Sequence, residues 1–207
     1  MEWCVILACG DGIFSKIRIE EEMRMSGNNG KHVVRGVLAG AGAGLAASWV
    51  MNVFMAGPGE KLHQAIQSDE EKLQERLQRM EQQQNGEPKQ DATMKAADAL
   101  VATATGGRHL SMEEKQKGGP VVHYAFGALM GGLYGGLAEY SSTVKSGFGT
   151  AFGGALFAGA DLVAVPALKL SAPPSEWPAS SLANPLAAHL VYGATTELLR
   201  RVLRAVL

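Results

Sequence analysis

Glycine at every fourth position constrains this chain more than any other feature. One apolar stretch carries Gly36, Gly40 and Gly44. A second carries Gly127, Gly131 and Gly135, with Gly132 and Gly136 one residue along, and a third carries Gly149 and Gly153. Residues four apart lie on one face of an α-helix, so each stretch, wound as a helix, shows a stripe without side chains. Glycine inside a helix in water costs roughly 1 kcal/mol relative to alanine, and its repetition needs a compensating gain. In a bilayer that gain is the close approach of two helix backbones. The spacing predicts an all-α fold: a polytopic membrane helix bundle of about four Gly/Ala-rich spans, with these glycines as its packing faces.

The mean hydropathy of the 207 residues, +0.01, is low for a membrane protein. That average hides a split: residues 59–118 are strongly polar, whereas 33–57 and 119–207 are mostly apolar. Four segments follow. Residues 1–30 are expected to be a loosely ordered tail, 31–58 a first transmembrane span, 59–118 a polar extramembrane helical segment, and 119–207 three further spans. Within the tail, Trp3 to Gly10 is apolar but too short to cross a bilayer. No basic residue precedes it, which makes it a poor signal peptide. Residues 1–24 read as a loose tail or as an extension upstream of a start at Met23 or Met25. The cysteines, Cys4 and Cys9, support neither a disulfide framework nor a zinc site. A net charge of −1 gives no reason to expect a nucleic-acid partner.

Span one runs from Val33 to Met55, closed by Gly57-Pro58-Gly59. Span two runs from Pro120 to about Tyr140, opened by Gly118-Gly119-Pro120. Span three runs from Phe148 to about Leu170, and span four starts near Asn184-Pro185. Arg200, Arg201 and Arg204 follow the short apolar run of span four, and their stems can snorkel to the headgroups. Between the first two spans, Glu60 to Gln84 reads as one amphipathic, coiled-coil-like charged helix. Its seam of Leu62, Ile66, Leu73, Leu77 and Met80 is the surface offered to a protein partner. A second helix, Asp91 to about Thr105, carries Met94, Ala97, Leu100, Val101 and Ala104 on one side and stops at Gly106-Gly107. Four spans place both termini on one side. Lys31, Arg35, Lys145, Arg200, Arg201 and Arg204 fall there, against Lys61, Lys115, Lys117 and Lys169 opposite. This bias puts both termini in the cytoplasm and the 60–118 segment outside it.

Ionisable residues inside spans are costly and face protein or water rather than lipid. Asp161 lies well inside span three; His189 and Glu197 share a face of span four with Gly193. Asp161, His189, Glu197 and Arg201 form the predicted intramembrane polar cluster. One reading is a proton- or ion-responsive path. The other is interhelical hydrogen bonding, with Glu197 paired to Arg201 one turn on. His123 and Glu139, at opposite ends of span two, are read as interfacial. No metal-ligand spacing, cofactor motif, phosphate loop or nucleophile–base set is present in the sequence. The expectation is a non-catalytic protein of structural or accessory role, in contact with the lipid bilayer and with room for an oligomer. The alternative is a small transporter or channel component using Asp161, His189 and Glu197.

His189-Leu190-Val191-Tyr192-Gly193, followed by Glu197-Leu198-Leu199-Arg200-Arg201, resembles the closing helix of the YagU-like bacterial inner-membrane proteins, a domain family of unknown function. Gly36-Val37-Leu38-Ala39-Gly40, just after a basic stretch, is similar to that family's opening helix. The resemblance covers roughly residues 31–58 and 119–204, and the Gln/Glu-rich helix departs from it. It implies a multi-pass protein of the bacterial inner membrane: one span, a long extracytoplasmic segment, then three spans. It also implies a loose association with acid or envelope stress tolerance and no established enzyme activity.

Overall fold

A computed structural model describes residues 32–86 and 88–207; the expected tail, Lys31, Cys4 and Cys9 lie outside them. The described residues are helical, without a strand. Helix α1 is His32–Ile66, α2 is Asp69–Asn85, α3 is Ala92–Thr105 and α4 is Met112–Tyr140. Helix α5 is Thr143–Ala167, opening with a 3-10 turn over Thr143–Gly149, and α6 is Ala183–Val206. Three of these, α1, α4 and α5, are long and apolar enough to cross a membrane. Helix α6 is not among them.

Several boundaries differ from expectation. Gly57-Pro58-Gly59 does not close α1; Met55–Gly59 form a π-helical turn with Pro58 inside, and the helix continues to Ile66. A widened turn accommodates a proline that an α-helical ladder would reject. The charged segment is therefore not one helix from Glu60 to Gln84. Gln67 is extended, and Ser68 starts α2 afresh by capping the Glu71 amide while the Glu71 side chain returns to the Ser68 amide. This reciprocal cap, with three acidic residues in the first turn, favours a helix start at that point. Leu62 and Ile66 thus belong to α1 and Leu73, Leu77 and Met80 to α2, and all five are exposed. A second Ser–Glu cap, Ser111 with Glu114, starts α4 ahead of Gly118-Gly119-Pro120, which lie within the helix. Those glycines let α3 pack closely: a Cβ on either would stand 3.0 Å from Ala97 or Met94.

The glycine stripes are where helices meet. Helices α1 and α4 run antiparallel with Gly36, Gly40 and Gly44 against Gly135, Gly131 and Gly127. A Cβ at Gly40 would strike the Gly131 carbonyl and stand 2.8 Å from the Gly135 Cα; one at Gly131 would strike the Gly40 carbonyl and stand 2.7 Å from the Gly44 Cα. On α1, Ala39, Ala43 and Ala47 are fully buried. Helices α5 and α6 meet in the same way: Gly149 and Gly153 abut the carbonyls of Gly193 and His189. Gly149 also has φ +85°, a left-handed conformation that a side chain would strain. Tyrosines join the two pairs. The Tyr192 hydroxyl donates to the Gly127 carbonyl at 2.6 Å, and the Tyr134 ring lies 4.8 Å from that of Phe152. Ala47, Met51, Ala188 and Tyr192 form a core with Phe54, Met55, Phe152 and Leu156 packed against it.

The exterior of this bundle is apolar. Val34, Leu38, Leu45 and Val53 of α1, Val121, Leu129 and Leu133 of α4 and Val163 of α5 are all exposed. Helix α6 is inverted most clearly: His189, Tyr192, Thr196, Glu197 and Arg200 are buried, whereas Leu186, Leu190, Leu198, Val202 and Val206 face out. Its low hydropathy comes from the polar face it turns inward.

Outside the bundle, α3 and α4 are clamped by Asp98. Its carboxylate accepts from the Leu110 amide at 2.6 Å, His109 Nδ1 at 3.1 Å and Lys115 Nζ at 3.1 Å. The Leu110 amide first, then hydrogen bonds from Lys115 and His109 and the Lys115 charge, hold its pKa down at about 2, against the usual 3.8. Since the folded value is the lower one, this stabilisation is complete above 3.8 and lost as the pH falls toward 2. Amide exchange of residues 92–118 should stay protected at pH 5 and lose protection across that acid window, and Asp98→Asn should remove the transition.

Gly131→Leu should separate α1 from α4 and destabilise the bundle by about 1–3 kcal/mol or more, the usual cost of overpacking. Gly57→Ala, where a Cβ meets nothing within 4 Å, should be neutral or stabilising by up to about 1 kcal/mol. Unfolding of both variants in detergent measures the difference; equal stability would contradict the packing.

Candidate functional site

Buried positions on α6 recur as Ala188, His189, Tyr192, Gly193, Thr196, Glu197 and Arg200, one helical face. It delivers two separate polar groups to the interior. The first lies where the start of α1, the end of α4, the start of α5 and the end of α6 come together. Glu197, 0 % exposed, accepts from the Tyr134 hydroxyl at 2.9 Å, from Arg200 Nε and Nη2 at 2.8 and 3.1 Å, and from Arg201 Nε at 2.6 Å. Glu139 accepts from Arg204 Nε at 3.0 Å and lies 3.8 Å from Arg200 Nη1. Arg204 also donates to His32 Nδ1 at 2.9 Å. The guanidinium of Arg201 sits 4.7 Å over the Phe148 ring, within cation–π reach.

Local sequence explains this convergence. Glu197 reaches Arg200 and Arg201 because residues three and four apart are neighbours on a helix. Glu139 turns inward because Gly36 offers no side chain: a Cβ there would stand 2.5 Å from the Glu139 Cγ. Phe148 reaches Arg201 from a turn in which Gly147, Phe148 and Gly149 all have positive φ.

The second polar group lies toward the other end. Asp161 sits in the π-helical turn Phe157–Ala164 of α5, with Oδ2 3.8 Å from His189 Nδ1. That is beyond hydrogen-bond length. His189 Nδ1 lies 2.9 Å from the Pro185 carbonyl, which only accepts, so Nδ1 carries the proton. The Phe157 ring covers His189 at 5.6 Å between centroids. His123 Nε2, Asn184 Oδ1 and Thr196 Oγ1 are buried without a hydrogen-bond partner among the described residues.

The four residues expected as one cluster therefore fall into two. Asp161 stands with His189, and Glu197 with Arg201, because eight residues of helix separate His189 from Glu197 by about 12 Å. The fully buried Thr196 and the Gly149–Gly193 backbone contact fill that interval. Tyr134, Glu139, Arg200 and Arg204, which the sequence alone does not mark as site residues, complete the first group. The signal available for them was opposite charge at helix ends that an up–down bundle brings together. Among the described residues no three His, Cys, Asp or Glu side chains converge as a metal site. The first group has the chemistry of a rigid clamp: two carboxylates and three guanidinium groups that lock four helix ends. The second holds a carboxylate free of strong partners beside an imidazole.

Removing one partner of a buried ion pair costs about 3–5 kcal/mol because the other charge is left uncompensated. Glu197→Ala, which strands Arg200, should lose that much. Tyr134→Phe removes one hydrogen bond and should lose only about 0.5–1.5 kcal/mol. Unfolding in detergent separates the two; a Glu197→Ala variant no weaker than Tyr134→Phe would contradict the clamp.

No curated protein and no solved structure matches the chain. A family model matches residues 79–198, from the second half of α2 through Leu198 of α6. That range includes Tyr134, Glu139, Asp161, His189 and Glu197, but not α1 or the arginines after Leu198. Covering more than half of the sequence, this match shows that the chain belongs to the family described as Protein of unknown function (DUF1440).

Proposed function

We propose that this chain is a multi-pass protein of the bacterial inner membrane with α1, α4, α5 and α6 as four spans. Its role is structural or accessory, and it has no catalytic activity of its own. The observation that carries the reading is the inverted distribution of polarity. Soluble folds turn apolar side chains inward; here the inward positions are glycine, alanine, tyrosine and paired charge, and the outward positions are leucine, valine and tryptophan. A continuous apolar exterior is what lipid requires and water opposes. Helix α6 counts as a span on this reading, since His189, Thr196, Glu197 and Arg200 are turned inward, away from lipid. The likeness of the first and last spans to YagU-like proteins supports the location and the tie to acid or envelope stress tolerance.

The accessory role rests on the 60–84 segment. Leu73, Leu77 and Met80 of α2 are exposed among the described residues, as a surface kept for a protein partner would be. The transporter reading has the Asp161–His189 approach in its favour. It is the weaker one, because the packed interval at Thr196 and Gly193 interrupts any polar path from Asp161 to Glu197.

Both termini are proposed to be cytoplasmic, with α2 and α3 on the opposite side. With Cys4 and Cys9 replaced by serine, a cysteine at Gln83 should react with an impermeant thiol reagent added to intact cells, and one at Ser142 should not. The reverse pattern would overturn the orientation. A protein that stays dispersed without detergent would overturn the membrane reading. The accessory role requires a stoichiometric companion in detergent extracts that Leu73→Glu with Leu77→Glu removes; a chain that purifies alone would refute it.

A further inference from the structure

The ion-pair clamp is unbalanced. Two carboxylates, Glu139 and Glu197, face three guanidinium groups, Arg200, Arg201 and Arg204. The excess positive charge resides where exposure is greatest: the Arg201 side chain is 54 % exposed, against 8 % for Arg200 and 22 % for Arg204. Arg201 uses Nε on Glu197 and rests against Phe148. The terminal nitrogens, with four N–H donors, take no hydrogen bond among those of the described residues. The guanidinium is held at one edge and covered on one face, so its remaining fork is preorganised. Lys145 adds a cation from the same turn that presents Phe148.

The surface leading to Arg201 is apolar. Leu190, Ala194, Leu198 and Arg201 follow one another at spacings of four, four and three on α6, a single stripe. Helix α5 borders it where Gly149 and Gly153 bring the two backbones together, and a Cβ on Gly154 would stand 3.8 Å from Leu190 Cδ2. An exposed apolar stripe beside α5 thus ends at a cationic fork, at the end of the bundle where charged residues gather.

We propose that this stripe binds an anionic phospholipid, with its phosphate on Arg201 and Lys145 and an acyl chain along Leu190 and Leu198 beside α5. A phosphodiester matches the fork in geometry, and its single negative charge matches the single excess charge of the clamp. The site rests on the membrane reading above and goes beyond it by naming a lipid class and a seat.

Native mass spectrometry of the full chain in detergent, with phosphatidylglycerol or phosphatidylcholine of identical acyl chains, tests this directly. Phosphatidylglycerol adducts should exceed phosphatidylcholine adducts by about tenfold, the equivalent of one charge-assisted contact. Arg201→Gln should bring the two lipids level, Lys145→Gln should narrow the gap, and Arg201→Lys should keep only part of the preference. Excess inorganic phosphate should not displace the lipid. Equal retention of both lipids by the wild type, or an unchanged preference in Arg201→Gln, would overturn the proposal. Displacement by inorganic phosphate would reduce the site to one for a small anion and overturn it too. If Arg201→Gln fails to fold, Lys145→Gln decides, and an unchanged preference there counts against the site. A chain that needs detergent yet shows no preference fails this proposal alone; one that needs no detergent fails the membrane reading beneath it.

Discussion

Backbone-to-backbone contact at glycine holds the molecule together. On α1 and α4 the carbonyls of Gly36, Gly40, Gly127 and Gly131 occupy the space a Cβ would fill on the opposite helix, and on α5 and α6 those of Gly149, Gly193 and His189 do the same. At such separations dispersion and Cα–H···O contacts accumulate along the helix, and little side-chain entropy is lost. The other tertiary features rely on this proximity. Tyr192 reaches the Gly127 carbonyl across the bundle, and Glu139 finds room to turn inward only because Gly36 lies opposite.

Close packing leaves the interior room for few large apolar side chains, Met51 and Phe157 among them. It is filled mostly by small residues, two tyrosines and polar groups that must satisfy one another. Glu197 is tolerable at full burial because four hydrogen bonds from Tyr134, Arg200 and Arg201 converge on it. Such pairs add less to net stability than their number suggests, since desolvation offsets much of the attraction. The contacts made between helices do discriminate among arrangements: α6 shifted by one turn against α4 would part Tyr134 from Glu197 and Glu139 from Arg200 and Arg204. The clamp thereby selects the register that the featureless glycine faces leave open.

Toward the opposite end the interior is less settled. Asp161 has no hydrogen bond among those of the described residues, and His123 Nε2 and Asn184 Oδ1 are buried and unpartnered. The π-helical turns Met55–Gly59 and Phe157–Ala164 fall in this half as well. Widened turns of this kind often accompany functional positions. At one end of the bundle the buried carboxylate Glu197 is met by donors, and the other end retains unspent polar capacity beside the approach of His189 to Asp161.

Much of this could be read from residue order. Four-residue glycine spacing marks a helix face for close approach whatever its partner, because helical geometry is local. The stop at Gly106-Gly107, the start near Asn184-Pro185 and the cationic end of α6 follow from equally local chemistry. The split at Gln67–Ser68 was also legible, since Ser68-Asp69-Glu70-Glu71 is a capping box within an otherwise continuous charged pattern. Pairing was not legible. Which glycine stripe meets which, and hence that Glu139 and Tyr134 join Glu197 while Asp161 does not, depends on contacts between residues 60 or more positions apart. The apolar exterior of α6 was hidden for the same reason: hydropathy averages over a helix's faces, and only its neighbours determine which face is turned inward.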